Sequence, residues 1–350
     1  MKGRVSALGL VFSLIVFVIS CCVPTTKNEP SSIDETVGQQ GQALASDHLS
    51  NVIELKQNKP PILLVHGFQM RAFNLDEIWG DMAKCLTGKV VNKREDWDWV
   101  CDESNVFGYE LCIKRLEGNN SVIYISNYTR DTEHATRLDI RFYAQNLAQE
   151  IATIKTKENV TEVDIVAFSM GGLVARAYIE NEDFNSNKYT TAYRSDVRKL
   201  IMVATPNHGF TFPDFAYFLY GLPLWQSSLR MVSGSSFLQI VSGSSFLQEL
   251  NGGVTGKQKG VEYSAIAGNA YRCNPPVNSL LSAFLCWLYG QRASDGVLTV
   301  ESVKLENQGE LAEISESRWF VIDLTHFELR SELTGRLIED ILNSPVTSSQ

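Results

Sequence analysis

Six short apolar runs punctuate the chain from residue 62 onward: Ile62-Leu63-Leu64-Val65, Val122 to Ser126, Val163 to Ala167, Leu200 to Ala204, Tyr263 to Ala267 and Trp319 to Ile322. Each has the length of a strand and is rich in β-branched or aromatic residues. Runs this apolar predict parallel strands covered on both faces. Between several of them the apolar period changes to that of a helix. Leu138, Phe142, Leu147, Ile151 and Ile154 share one face of a helix over 138–154, and Leu173 to Ile179 follows a strand directly. Leu333, Leu337, Ile338 and Ile341 mark a closing helix over 329–342. Strand alternating with helix predicts an α/β fold, a doubly wound and mostly parallel sheet in a single domain over 58–345. Two stretches break the alternation and read as insertions, at about 87–120 and 207–260.

The start of the chain has a different pattern. Lys2 and Arg4 precede a run of about fifteen apolar residues, Val5 to Ile19, and then Val18-Ile19-Ser20-Cys21. Charge, apolar run and small-residue cut site predict a signal segment over 1–20. The run is shorter than the roughly 20 residues that span a bilayer. The cysteine directly after Ile-Ser resembles the lipobox of bacterial lipoproteins, which implies lipid attachment at Cys21. Residues 21–57, polar and holding Pro24, Pro30, Gly38 and Gly41, read as a flexible tether. The expected location is the cell envelope, on a membrane through the lipid; simple secretion is the alternative. Export permits disulfides. Beyond Cys21 and Cys22, five cysteines remain, with Cys273–Cys286 the first candidate pair and Cys101–Cys112 the second.

Composition removes some functions. A net charge of −9 on 350 residues leaves no basic stripe for nucleic acid. No CxxC or His-rich cluster suggests zinc. Only five histidines are available for acid–base work.

The chemistry concentrates at Val163-Asp164-Ile165-Val166-Ala167-Phe168-Ser169-Met170-Gly171-Gly172-Leu173. An apolar strand runs through Ala-x-Ser-x-Gly into a helix. A serine at such a turn is strained and exposes its hydroxyl, and small neighbours let strand and helix pass closely. A serine hydroxyl needs a base, and the base needs a carboxylate to orient it. Of the two histidines after Ser169, His208 comes one strand too early, whereas His326 follows the last strand. Ser294-Asp295-Gly296-Val297 places a carboxylate on a loop between nucleophile and base; Asp323 and Asp214 are rivals. His66-Gly67-Phe68 follows the first strand, so the N–H groups of Phe68 and Met170 are the candidate oxyanion donors. His66 reads as a residue that shapes this loop.

In order and spacing these segments resemble the α/β-hydrolase superfamily, and within it bacterial triacylglycerol lipases, over roughly residues 60 to 343. Ile62-Leu63-Leu64-Val65-His66-Gly67-Phe68 is similar to the lipase oxyanion strand and loop. Ala167-Phe168-Ser169-Met170-Gly171-Gly172 is similar to their elbow, and Ala204-Thr205-Pro206-Asn207-His208-Gly209 to the strand end that follows. The resemblance implies carboxylic-ester hydrolysis, with a lipid or small ester as substrate, Ser169, Asp295 and His326 as catalytic residues, and no organic cofactor. Some of these lipases hold a structural calcium near the catalytic histidine. Their aspartate soon after that histidine is missing here, where Phe327-Glu328 follows.

Acyl transfer by the same residues, and a non-catalytic surface lipoprotein, are the alternative functions. In residues 210–225, eleven of sixteen are aromatic, Leu or Ala. In the family this region is a lid, which would bury acyl chains at about 0.8 kcal/mol per methylene and touch a membrane surface. Beyond it lies a tandem repeat, Val232-Ser233-Gly234-Ser235-Ser236-Phe237-Leu238-Gln239 and again Val241 to Gln248. Two nine-residue periods build no solenoid and read as a duplication in a surface loop.

Overall fold

The computed structural model describes residues 59–67, 75–89, 97–102, 111–119, 121–128, 138–180, 192–210, 236–252, 260–272, 292–305 and 318–346. The six apolar runs become β1 (Ile62–Val65), β4 (Val122–Ile125), β5 (Val163–Phe168), β6 (Val197–Val203), β7 (Glu262–Gly268) and β8 (Trp319–Ile322). They pair in parallel in the order β4-β1-β5-β6-β7-β8. Every residue of β1, β5 and β7 is buried, as unbroken apolar runs require.

Two strands come from the stretch read as an excursion. Here β2 (Asp98–Asp102) and β3 (Leu111–Glu117) extend the sheet antiparallel beyond β4, and the Cys101–Cys112 disulfide joins them. Asp98 and Glu117 are exposed, as is Trp99 at 54%, whereas Lys114 is buried. An edge pair solvated on one side lacks the continuous apolar run that marks the inner strands. Of the candidate disulfides, Cys101–Cys112 is formed; Cys273 and Cys286 lie outside the described residues.

Four longer helices cover the sheet: α1 (Leu75–Thr87), α2 (Ile140–Glu158), α3 (Met170–Ile179) and α7 (Glu332–Asn343). Asp139 caps α2, its Oδ1 accepting from Arg141 N–H at 2.8 Å, and Asn159 closes it with a left-handed φ of 53°. The chain leaves β1 through α1 toward β4, then returns through α2 to β5 and through α3 to β6. Right-handed crossovers in opposite directions put α1 on one face and α2 and α3 on the other. Consistently, α1 packs against α7, and α2 against α3. The neighbours β1 and β5 therefore send their following chain to opposite faces, which opens a crevice at their carboxyl ends.

Three short helices complete the described chain: α4 (Ser236–Gln239), α5 (Ser245–Gly252) and α6 (Val300–Val303). The first two hold the two copies of the tandem repeat. Where described, neither copy is a loose surface loop. In α5, Phe246, Leu247 and Leu250 join the core, and Gln239 of α4 is buried with its Oε1 accepting from Ile140 N–H at 2.7 Å. Among the described residues no helix is long and apolar enough to cross a membrane. The signal and tether over 1–57 and residues 211–235 lie outside the described residues.

Candidate active site

At the end of β5 the chain turns abruptly into α3, and Ser169 takes φ 53° and ψ −128°. A side chain is strained in that region by about 1–3 kcal/mol, so the surroundings must enforce it. Register does so. Ser169 N–H donates to Val203 C=O at 2.8 Å, and Gly172 N–H donates to Ser169 C=O at 3.1 Å. A Cβ on Gly171 would lie 2.5 Å from His66 O, and one on Gly67 would lie 2.8 Å from Ser169 Cβ. The loop after β1 thus rests directly on the serine turn, and only residues without a side chain fit at these two contacts. Ala167, where a glycine is commoner, is fully buried and accommodated.

Two loops farther along the sheet bring the other candidates together. Asp295 Oδ1 accepts from the N–H groups of Val297 at 2.8 Å and Leu298 at 2.7 Å, a side-chain turn that Gly296 completes with φ 92°. This leaves Oδ2 for His326 Nδ1, 2.7 Å away. His326 N–H also donates to Asp295 C=O at 2.8 Å, so backbone and side chain lock the two loops together. Both residues are buried. In the neutral tautomer that donates from Nδ1 to the carboxylate, the lone pair lies on Nε2. The His326 ring lies 4.9 Å from the Phe168 ring, centroid to centroid, next to the serine turn. Among the described residues Ser169 Oγ makes no hydrogen bond with the imidazole.

The family model that matches the chain is described as a domain of unknown function, DUF7379, and covers residues 137–216. No curated protein matches. Among solved structures, mature lipase BlEst2 from Bacillus licheniformis superposes with a TM-score of 0.50, over 81% of this chain and 92% of that one, at 18% identity. The chain has the α/β-hydrolase fold. More remote are the Listeria innocua lin2722 product, with a TM-score of 0.45 at 17% identity over 83% and 96% of the two chains, and phospholipase PlaB from Legionella pneumophila, with 0.44 at 16% over 69% and 45%.

Within this α/β-hydrolase sheet the rival candidates fall elsewhere. Asp323 is exposed and paired with Arg272 at 2.9 Å. His208 sits in the loop after β6, its N–H donating to Ser302 C=O at 3.0 Å. His66 is fully buried and stacks on Tyr128 at 4.4 Å. Burial lowers its pKa to about 4, against a small opposing effect of the Gly67 carbonyl, so it is neutral near pH 7. Asp214 and Phe68 lie outside the described residues; Met170, the other candidate oxyanion donor, opens α3. Glu328, two residues after His326, has Oε2 engaged with the N–H and Oγ of Thr325. Among the described residues no three acidic, His or Cys side chains converge as a metal site.

Sequence reasoning missed the polar framework behind the turn. Arg176, wholly buried on α3, donates to Glu180, to Asn207 Oδ1 at 3.1 Å and to Asn251 Oδ1 at 2.9 Å. Asn207 in turn donates to Val303 C=O at 2.8 Å, and Asn251 to Asn207 C=O at 2.8 Å. One guanidinium therefore ties the serine helix to the loop after β6, to α5 and, through Asn207, to α6. The signal was present: Met-Gly-Gly-Leu-Val-Ala-Arg-Ala-Tyr-Ile carries a single charge in an otherwise apolar helix. Glu150 has a similar role on α2, holding Ser126 Oγ and the N–H of Asn127 at the end of β4.

Proposed function

We propose that this chain is a serine hydrolase that cleaves carboxylic esters, acyl lipids among them, through an acyl-enzyme. The observation that carries the reading is the buried 2.7 Å contact between His326 Nδ1 and Asp295 Oδ2, beside a serine in a strained strand-to-helix turn. Ser169 Oγ attacks the ester carbonyl carbon while His326 Nε2 takes its proton. The hydrogen bond between hydroxyl and imidazole forms when substrate is bound. The Asp295 carboxylate orients the ring and steadies the imidazolium. The N–H groups of Met170 and Phe68 stabilise the oxyanion. The tetrahedral intermediate expels the alcohol, which takes the proton from His326. Water then attacks the acyl group with the same base, releasing the acid and free Ser169. No metal or organic cofactor enters these steps.

The same reading places the protein outside the cytoplasm, lipidated at Cys21 and held on a membrane surface. The Cys101–Cys112 disulfide supports an oxidising compartment, and the aromatic segment 210–225 suits a lid that meets lipid. A panel of p-nitrophenyl esters from acetate to palmitate tests the chemistry. Ser169→Ala is expected to lose about 10³-fold or more in kcat/KM. Retention of activity within about tenfold of wild type would remove Ser169 as nucleophile.

A further inference from the structure

Arg330 ends the 3₁₀ turn Glu328–Arg330, four residues after His326. Its guanidinium carbon lies 5.5 Å from the ring centre of Phe168, the residue before Ser169, and 5.5 Å from that of Phe327, the residue after His326. Its Nε–H donates to Phe327 C=O at 3.3 Å. A guanidinium has five N–H donors, and this bond uses one. Among the described residues no carboxylate pairs with it, although Arg115, Arg141, Arg176, Arg198 and Arg318, all buried or partly buried, each hold one. Burial pushes its pKa down, and among the described residues no neighbouring acid offsets the effect.

Partly desolvated cations without a counter-charge are costly and normally paired. Stacking on two rings recovers part of the cost, but it leaves the donors of the fork unused. Those rings belong to the residues next to the nucleophile and the base, so the guanidinium lies beside the candidate reaction site. A planar fork of N–H groups binds phosphate or carboxylate in bidentate fashion.

We infer that Arg330 reads an oxyanion, phosphate or carboxylate, carried by the ester close to its scissile bond, so that acidic acyl esters are the preferred substrates. This inference rests on the ester-hydrolase reading above. It would make Arg330 a specificity residue: it binds the charged part of the substrate and takes no part in proton transfer.

The test compares three soluble butyrate esters: 1,2-dibutyrylglycerol 3-phosphate, 4-butyryloxybutanoate and uncharged 1,2-dibutyrylglycerol. Each is given to wild type, Arg330→Met and Arg330→Lys. The quantity read is the ratio of kcat/KM on each anionic ester to that on the neutral one, so a general loss of activity cancels. Arg330→Met, which keeps an apolar stem against the rings, is expected to lower that ratio about 10- to 100-fold, chiefly through KM. Arg330→Lys is expected to retain part of the preference. The ester whose ratio falls further identifies phosphate or carboxylate as the recognised group. A ratio within about twofold of wild type in Arg330→Met would reduce Arg330 to a packing clamp and overturn the inference. Failure of the underlying reading looks different: folded wild-type protein would then cleave none of the three esters.

Discussion

His66 shows what one residue of the site region costs and supplies. Its imidazole is enclosed between the β1 loop and Tyr128, whose hydroxyl donates to the His66 carbonyl at 2.9 Å. Enclosure holds the loop that rests on Ser169, and it also lowers the pKa of the ring to about 4 from an ordinary 6.5. The unfolded chain therefore binds a proton at a pH where the folded one does not. The folded-state pKa is depressed, so the contribution is whole above pH 6.5 and is lost as pH falls toward 4. The loss totals about 3 kcal/mol. Urea unfolding at pH 7.0 and pH 4.5 checks this. Wild type should lose stability across that interval, and His66→Asn should lose distinctly less. Equal slopes in the two proteins would exclude His66 as the source.

At the scale of elements, the serine helix α3 is held from behind by charge. Arg176 and Glu180 are both buried and paired at 3.0 Å, with Tyr263 O–H donating to Glu180 at 2.7 Å. Removing one partner leaves the other charge uncompensated. Arg176→Met is expected to destabilise by about 3–5 kcal/mol, read as a shift of the urea midpoint. Adding Glu180→Leu should recover much of that loss. A single variant within about 1 kcal/mol of wild type would show that the network is not structural. The tandem repeat shows why such packing is hard to read from sequence. Leu238 and Leu247 occupy the same place in identical octapeptides, yet one is 37% exposed and the other 3%. Gln239 is buried against the start of α2, whereas Gln248 is exposed and donates to Gly243 C=O at 3.0 Å. Local propensity makes both copies helical; tertiary position alone separates them.

For the whole molecule, the inner parallel strands were legible because burial on both faces leaves an unbroken apolar signature, as in Ile62-Leu63-Leu64-Val65. The edge pair β2 and β3 was not, because half its residues answer to water. As candidates, Ser169 and Asp295 stand out by turn chemistry and His326 by chain order and scarcity, and the fold brings Asp295 and His326 into contact. Arg176, Glu150 and Arg330 were not found, because their roles depend on neighbours far along the chain. What the account claims above all is that the sheet brings one activated serine to its carboxyl edge. A fluorophosphonate probe followed by peptide mass spectrometry tests that most directly. The account predicts a single adduct on the peptide containing Ser169, formed in wild type and strongly slowed in His326→Ala. An unlabelled Ser169 in folded protein, or labelling as fast in His326→Ala as in wild type, would contradict it.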